Sequence, residues 1–419
     1  MNEIDELVNK YKIKLDKIES YCDEPYLEQY VSTLKINNNI ESGTGVSFNN
    51  KTALYKSVYE SIERSCLYLD NNQKKQFIYS SINKLNKDYL NPMDIKCFSN
   101  NQIDNNPNQL KILKNNKFLW INGKDLYKNK NVLIPIQLVF LVNNKKEKII
   151  QQPMSTGAAC GINLNDAILK GIFEVIERDA FMIHYLTKTC GELIDFSMNK
   201  RLIKIQKYFQ KYNLELYLIN LCTDLGIYTV LSLIIDRTGL GTPLSAGMKT
   251  GLDPYKCAIS AIEEACMGIS FSRNDLIKKM KNPKVNSNIN SMHQRSLYWS
   301  DIKKLKYIDP WIKNKRKIKF NKMRNLSTKN IDKDLNFVTN ILKLNKYDIY
   351  YVNIKKDLFS KFGNFEVIKV IIPSLQSLYL HESYKCLGNN RIYEVPVKLG
   401  YYNKPLREGQ LNQIPHFFL

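Results

Sequence analysis

A-L-Y-K-S-V-Y-E-S-I-E-R, residues 53–64, returns as A-I-L-K-G-I-F-E-V-I-E-R at residues 167–178. Both copies keep Ala, Lys, Glu, Ile, Glu and Arg at the same steps, with apolar residues between them. On a helix, Glu60, Glu63 and Arg64 are spaced i, i+3 and i+4 and leave from one face; Glu174, Glu177 and Arg178 repeat the arrangement. One E-x-x-E-R is ordinarily a solvated face holding an ion pair worth about 0.3–0.5 kcal/mol. Two copies in phase are harder to read that way. Leu54, Val58, Tyr59 and Ile62 leave the first helix little surface to expose. Carboxylates on so apolar a helix need partners or metal, because burying them unpaired costs several kcal/mol.

A third helix echoes the pair. Asp253-Pro254 is a helix start, with Asp as N-cap and Pro at the first position. C-A-I-S-A-I-E-E-A-C-M follows from Cys257 to Met267, and in the register of the other two helices Glu264 stands where Glu60 and Glu174 stand. Met267 and Gly268 replace the second Glu and the Arg. Asn165 or Asp166 would cap the second helix. Three helices are thus expected to send carboxylates toward one place.

With 419 residues, length alone allows two or three domains, and 44% hydrophobic with 24% charged residues is a globular rather than a disordered composition. The net charge of +22 raises nucleic acid or an anionic membrane as partners. Lys, Asn and Ile abound everywhere, however, as in Asn143-Asn144-Lys145-Lys146, so the bias reads as composition and neither partner is expected. Anionic phosphates or an acidic peptide would use the same field. Nine cysteines without C-x-x-C spacing speak against a disulfide framework or structural zinc and for a reducing cytoplasm. The polar start M-N-E-I-D-E-L is no signal segment, and Val132–Val142 reads as a buried strand too short to span a bilayer.

Residues 1–40 read as a charged lead-in, followed by a Ser42-Gly43-Thr44-Gly45 turn into the first motif helix. Ser155–Gly161 leads into the second. Leu214–Asn220, Ile227–Asp236, Tyr347–Ile354 and Phe365–Ile372 read as strands. Residues 274–330, rich in Lys and Asn and carrying Trp299 and Trp311, read as an insert or lid. One interwoven α/β domain over 41–419 fits better than several beads. Gly241–Thr250 and Gly43-Thr44-Gly45 imitate phosphate loops, but with the wrong spacing. Four histidines offer no metal or nucleophile arrangement, and His184 in an apolar helix reads as core.

The paired E-x-x-E-R helices, the block S-T-G-A-A-C-G-I-N-L-N-D-A-I-L-K-G-I-F-E-V-I-E-R-D-A (Ser155–Ala180) and A-G-M-K-T-G-L-D-P (Ala246–Pro254) together resemble the YcaO family. V-I-I-P-S-L-Q-S-L (Val370–Leu378), R-I-Y-E-V-P (Arg391–Pro396) and N-Q-I-P-H-F (Asn412–Phe417) extend the resemblance toward SagD-like members over roughly residues 40–419. The resemblance implies a YcaO-type α/β fold of mixed sheets whose motif helices converge on a Mg–ATP site without a Walker loop. Glu60, Glu63, Glu174, Glu177 and Glu264 would be magnesium and ATP ligands, Arg64 and Arg178 phosphate contacts or orienters, and Asp166 a further nucleotide contact. A tail at 412–419 would reach toward the active site, with Pro415 and His416 in the catalytic role that Pro-rich C-termini play in the family. The sequence departs from the family's pattern at Thr44, where a basic residue is usual, at Lys56 for Ser, at Met267 for Gln, and at Ala159 and Ile162 for polar nucleotide contacts.

The implied activity is ATP- and Mg-dependent cyclodehydration of Cys, Ser or Thr in a ribosomally made precursor peptide, giving azolines through phosphorylation of the backbone amide oxygen, as in bacteriocin biosynthesis. Alternatives are a non-catalytic scaffold subunit of a peptide-modifying complex and YcaO-type thioamide or amidine formation. No segment before Ser42 reads as a peptide-recognition domain, so a ubiquitin-activating-like partner would present the leader peptide. A flavin-dependent dehydrogenase acting downstream and a homodimer are further associations the resemblance allows.

Overall fold

The computed structural model describes residues 3–36, 39–69, 74, 76–142, 146–239, 241–279, 289–360 and 365–418, the side chains of 270–279 excepted. Three sheets carry the chain. The first is antiparallel, in the order β1 (Lys14–Lys17), β2 (Glu28–Ile36), β3 (Asn39–Ser47). The second contains β4 (Ile78–Ser81), β5 (Lys117–Asp125), β6 (Lys130–Pro135), β7 (Ala158–Gly161), β13 (Tyr350–Asn353) and β14 (Glu366–Ile371). Its order is β4-β5-β13-β14-β7, with β6 also on β5. The third runs β11-β10-β9-β8-β12 from β8 (Glu192–Asp195), β9 (Leu214–Asn220), β10 (Tyr228–Asp236), β11 (Leu244–Gly251) and β12 (Lys317–Lys319).

The helices of eight residues or more are α1 (Glu3–Tyr11), α2 (Asn50–Cys66), α3 (Leu164–Thr187), α4 (Lys200–Gln210), α5 (Pro254–Lys279), α6 (Met292–Trp299), α7 (Ile331–Leu344) and α8 (Arg391–Lys398). The two pattern copies are α2 and α3, and the third echo is α5. Asn49 caps α2, accepting from Thr52 N–H, and Asp253 caps α5, accepting from Tyr255 and Lys256 N–H. α3 begins two to three residues earlier than its expected caps: Asn163, rather than Asn165 or Asp166, accepts from Asp166 N–H.

β3, β7 and β11 each stand at one end of their sheet, and each is covered by one of these helices. Small residues let backbone meet backbone there. A Cβ at Gly43 would lie 2.1 Å from Ser57 O, one at Gly161 2.3 Å from Ala167 N, and one at Gly247 2.3 Å from Ala265 N. Ala53, Ser57 and Ser61 on α2, spaced i, i+4, i+8, and Ala261, Ala265 and Gly268 on α5, spaced i, i+4, i+7, form the facing stripes. This close approach puts the carboxylates of each helix within reach of strand N–H groups.

Several local expectations differ. Ser42–Gly45 is not a turn but part of β3, because its glycines serve the helix contact rather than a bend. The lead-in contributes α1, β1 and β2, with Ile4, Leu7 and Ile13 buried. The strand expected over Val132–Val142 stops at Pro135 and gives way to a short 3₁₀ turn, Ile136–Leu138. Of the expected lid, residues 280–288 lie outside the described residues. Within 289–330, Arg295 is fully buried, and Trp299 and Trp311 both contact the Phe417 ring.

Candidate functional site: a ring of carboxylates at three sheet edges

Edge strands expose unpaired N–H groups, and here carboxylates take them. On α2, Glu60 Oε2 accepts from Thr44 N–H in β3 at 2.5 Å, and Glu63 Oε2 from Cys160 N–H in β7 at 3.0 Å. On α3, Glu174 Oε2 accepts from Gly157 N–H, at the entry to β7, at 3.1 Å; Glu177 Oε2 accepts from Thr250 N–H in β11 at 2.8 Å. On α5, Glu264 Oε2 accepts from Met248 N–H in β11 at 2.8 Å. Glu263 Oε1 accepts from Ser47 Oγ at 2.7 Å and Phe48 N–H at 3.1 Å, at the end of β3. Each helix therefore binds two different edges, and the three helices close a ring.

The second carboxylate oxygens are used unevenly. Arg64 closes Glu60, Nη2 to Oε1 at 2.7 Å, and also donates to Ser42 O. Arg178 Nη2 stands 3.5 Å from Glu174 Oε1. Lys56 Nζ lies 2.6 Å from Glu263 Oε2 and donates to Val46 O. Oε1 of Glu63, Glu177 and Glu264 has no hydrogen-bond partner among the described residues. Asp166 sits apart at the start of α3, accepting from Ile162 N–H at 3.0 Å and paired with Lys170 at 2.7 Å.

This crowding shifts protonation. Burial, then Glu174 and Glu60, push the Glu63 carboxyl up to about 8. Burial pushes Glu177 up to about 8 against the pull of Arg178 and Lys249, and raises Glu264 as well. Lys369 in β14 donates to Met154 O at 2.5 Å, and burial takes its ammonium down to about 8 against Glu174 and Glu63. At Lys249, enclosure works against the charge, but Glu177, Glu264 and Glu174 outweigh it and raise its pKa.

Arg178 points its guanidinium at the chain's end. Its carbon lies 4.3 Å from the Phe418 ring centroid, and its buried Nε and Nη1 have no hydrogen-bond partner. The tail runs along α3 toward it. Asn412 N–H donates to Leu186 O at 2.7 Å, and Tyr185 Oη donates to Pro415 O at 2.9 Å. His416 is fully buried against Tyr379, Phe181 and Tyr185, with Nε2 2.6 Å from Tyr379 O and Arg295 donating to its carbonyl. Among the described residues neither Pro415 nor His416 bonds a ring carboxylate; their contacts anchor the tail. Asp179, the residue after Arg178, also leaves the ring. It forms a two-pronged pair with Arg391, at 2.7 Å for both bonds, which Asp224 and Tyr347 complete.

Glu263, Lys249 and Lys369 were not among the residues singled out from the sequence. Glu263 stands beside Glu264 and was hidden by the register used, and Lys369 is the single charge in the apolar run Val367–Ile372. The donor set suits magnesium: open carboxylate oxygens, with guanidinium and ammonium groups for phosphate. Among the described residues no three such acidic, His or Cys groups form a preformed metal cage, as fits an ion that completes its shell with phosphates and waters.

An uncharacterized protein of Methanothermobacter thermautotrophicus is 27% identical over 265 residues, 61% of this chain and 65% of that protein. A heterocyclase solved in complex with substrate and cofactor superposes with a TM-score of 0.80 at 18% identity, covering 100% of this chain and 57% of its own. YcaO from Methanopyrus kandleri, bound with AMPPCP and Mg2+, gives 0.64 at 14% identity over 88% of both chains. An E. coli microcin synthetase McbBCD complex with pro-MccB17 bound gives 0.59 at 15% identity over 86% of this chain and 88% of that one. The chain thus spans less than two thirds of the first relative and of the heterocyclase. The model of a family described as YcaO cyclodehydratase, ATP- and Mg2+-binding, matches residues 43–376, which hold α2, α3, α5 and all six ring glutamates, and the chain belongs to that family.

Proposed function

We propose that the protein is an ATP- and Mg-dependent peptide cyclodehydratase. A Cys, Ser or Thr side chain of the bound peptide, giving up its S–H or O–H proton to solvent, attacks the preceding carbonyl carbon. The oxyanion so formed takes the γ-phosphoryl group of ATP, releasing ADP. Loss of phosphate, carrying the former amide oxygen, and of the amide proton leaves the azoline ring. No enzyme nucleophile is needed, which accords with the lack of one in the sequence. The protein's task is positioning and charge stabilisation.

The observation that carries this reading is the set of open Oε1 atoms on Glu63, Glu177 and Glu264, with an Arg178 that has unused donors and whose charge acts on Glu177 and Glu264. Magnesium bound there would neutralise phosphate charge. Glu60 and Glu174, each already facing an arginine, would orient Arg64 and Arg178 toward phosphate. Asp166, paired to Lys170, would act at the rim. Pro415 and His416 would act by fixing the tail that brings Phe418 to Arg178. The domain would span 41–419, and a ubiquitin-activating-like partner would deliver the peptide, the McbBCD neighbour being a complex with its pro-peptide.

Calorimetric titration with AMPPCP, with and without Mg2+, tests the reading. Expected is Mg-dependent binding that Glu177→Gln abolishes while circular dichroism stays unchanged. Equal binding by the folded variant would overturn the assignment of the site. Binding without turnover of Cys-, Ser- or Thr-containing peptides in the presence of the partner would favour the scaffold reading.

A further inference from the structure

The inner edges β3, β7 and β11 have their N–H groups taken by carboxylates, but β12 does not. It ends the third sheet, paired only to β8, in parallel, with Lys317 opposite Leu193 and Lys319 opposite Asp195. Arg316 O faces β8, accepting Leu193 N–H at 2.9 Å. Strand alternation then turns the peptide groups of Lys317 and Lys319 to the open side, where their N–H groups meet no acceptor among the described residues.

The same alternation sorts the side chains. Ile318 and Phe320 pack with α4 and α5 on one face of the sheet, and Lys317 and Lys319 leave from the other; Lys315 lies in the bend just before the strand. All three lysines are exposed, and none forms an ion pair among the described residues. Asp195, the nearest carboxylate on β8, is held low first by Ser197, with Lys319 and Lys317 adding to the effect. Lysines on an edge repel a second copy of that edge, since like charges would stand opposite one another. They suit a strand that carries acidic residues at every second position.

We infer that the open edge of β12 docks an acidic, extended segment of the peptide substrate as an added strand. The Lys317 and Lys319 peptide groups would supply backbone bonds, the Lys317 and Lys319 side chains would read alternate carboxylates, and Lys315 would add positive charge at the strand's start. A nucleic acid would answer the charge but has no use for the two unpaired backbone N–H groups. The naming of the substrate rests on the proposed function; the edge itself does not.

Fluorescence anisotropy of the full chain with labelled (Glu-Val)4, (Glu-Pro)4 and (Lys-Val)4 peptides tests this. Proline cannot donate backbone bonds, so (Glu-Pro)4 keeps the charge and loses the strand. Expected is binding of (Glu-Val)4 alone, weakened about tenfold by Lys317→Pro, which removes only the outward N–H and leaves the pairing to β8. Lys317→Gln, the control for charge, should weaken it by less, and Lys315→Glu with Lys319→Glu should abolish it. Equal binding of (Glu-Pro)4, indifference to Lys317→Pro in a protein of unchanged circular dichroism, or preferential binding of a duplex oligonucleotide would overturn the inference. Normal AMPPCP binding with no peptide binding sinks only this docking edge. The reverse result sinks the proposed activity and leaves the edge standing.

Discussion

Glu177 leaves α3 to accept the N–H of Thr250, 73 residues further on in β11, at 2.8 Å, and keeps its other oxygen open. One carboxylate therefore closes a sheet edge and faces the candidate nucleotide site. Its two roles separate by substitution. Glutamine keeps an acceptor for Thr250, whereas alanine strands a buried donor at a cost of about 1–3 kcal/mol. Glu177→Ala should lose that much stability relative to Glu177→Gln by urea denaturation. Both should lose Mg-dependent AMPPCP binding in calorimetry.

The raised carboxyls predict an inverted pH response. Glu63 and Glu177 titrate near 8 in the fold and near 4.5 when free, so the folded chain holds their protons between those values. Their contribution is complete below about 4.5 and lost as pH rises through 8. His184, lowered to about 4 by burial, and His416, lowered likewise, act oppositely below 6.5, since unfolding lets them take up protons. The two effects offset one another in mild acid, and a net loss emerges above pH 6.5. Melting temperature should therefore fall from pH 6.5 to 8, above which Lys369, lowered to about 8 by burial, acts in the opposite sense. Glu63→Gln should flatten the fall. Magnesium with nucleotide, by taking the ionised carboxylates, should reverse it and release protons, measured by calorimetry in buffers of different ionisation enthalpy.

The repeat and its echo in α5 made the motif helices and five of the six ring glutamates legible, because helical spacing puts charges on one face whatever the surroundings; the α/β character came from separate β-branched and apolar stretches such as Ile227–Asp236. Glu263 escaped because it does not keep the repeat's register: α5 reaches back to β3 from the neighbouring position. Lys369 and the Asp179–Arg391 pair depend on which strands and helices lie side by side, and no local period encodes that. The glycines of β3 looked like a turn because close packing on a helix and a bend select the same residue. The tail's path along α3 was set by aromatic packing around Phe417, to which a sequence period is blind.

Arg391 is the largest structural liability outside the ring. Its guanidinium serves Asp179, Asp224 and Tyr347, with Asp179 fully buried and also accepting from Gln376 N–H at 2.7 Å. Removing one partner leaves an uncompensated buried charge, which costs about 3–5 kcal/mol. Arg391→Met should lose that much by denaturant titration. Arg391→Lys should not rescue it, because an ammonium cannot reproduce the two-pronged geometry. Asp179→Asn paired with Arg391→Met should recover part of the loss, the signature of a coupled pair rather than two independent packing sites.

The last two described residues of the tail separate packing from function. Phe417 is buried among Phe181, Tyr185, Trp299 and Trp311, so Phe417→Ala opens a cavity and should cost about 3–5 kcal/mol. Phe418 also touches Phe181, but its distinctive contact is the Arg178 guanidinium, whose Nε and Nη1 it leaves free of hydrogen bonds. Phe418→Leu keeps the apolar volume and loses the cation–π contact, worth about 0.5–2 kcal/mol. Its melting temperature should stay near that of the wild type, while AMPPCP affinity falls several-fold as Arg178 loses its fixed orientation. Phe418→Trp, a better partner for a cation, should restore the affinity. Should both variants bind nucleotide as the wild type does, Phe418 only packs, and Arg178 is held in place by Glu174 alone.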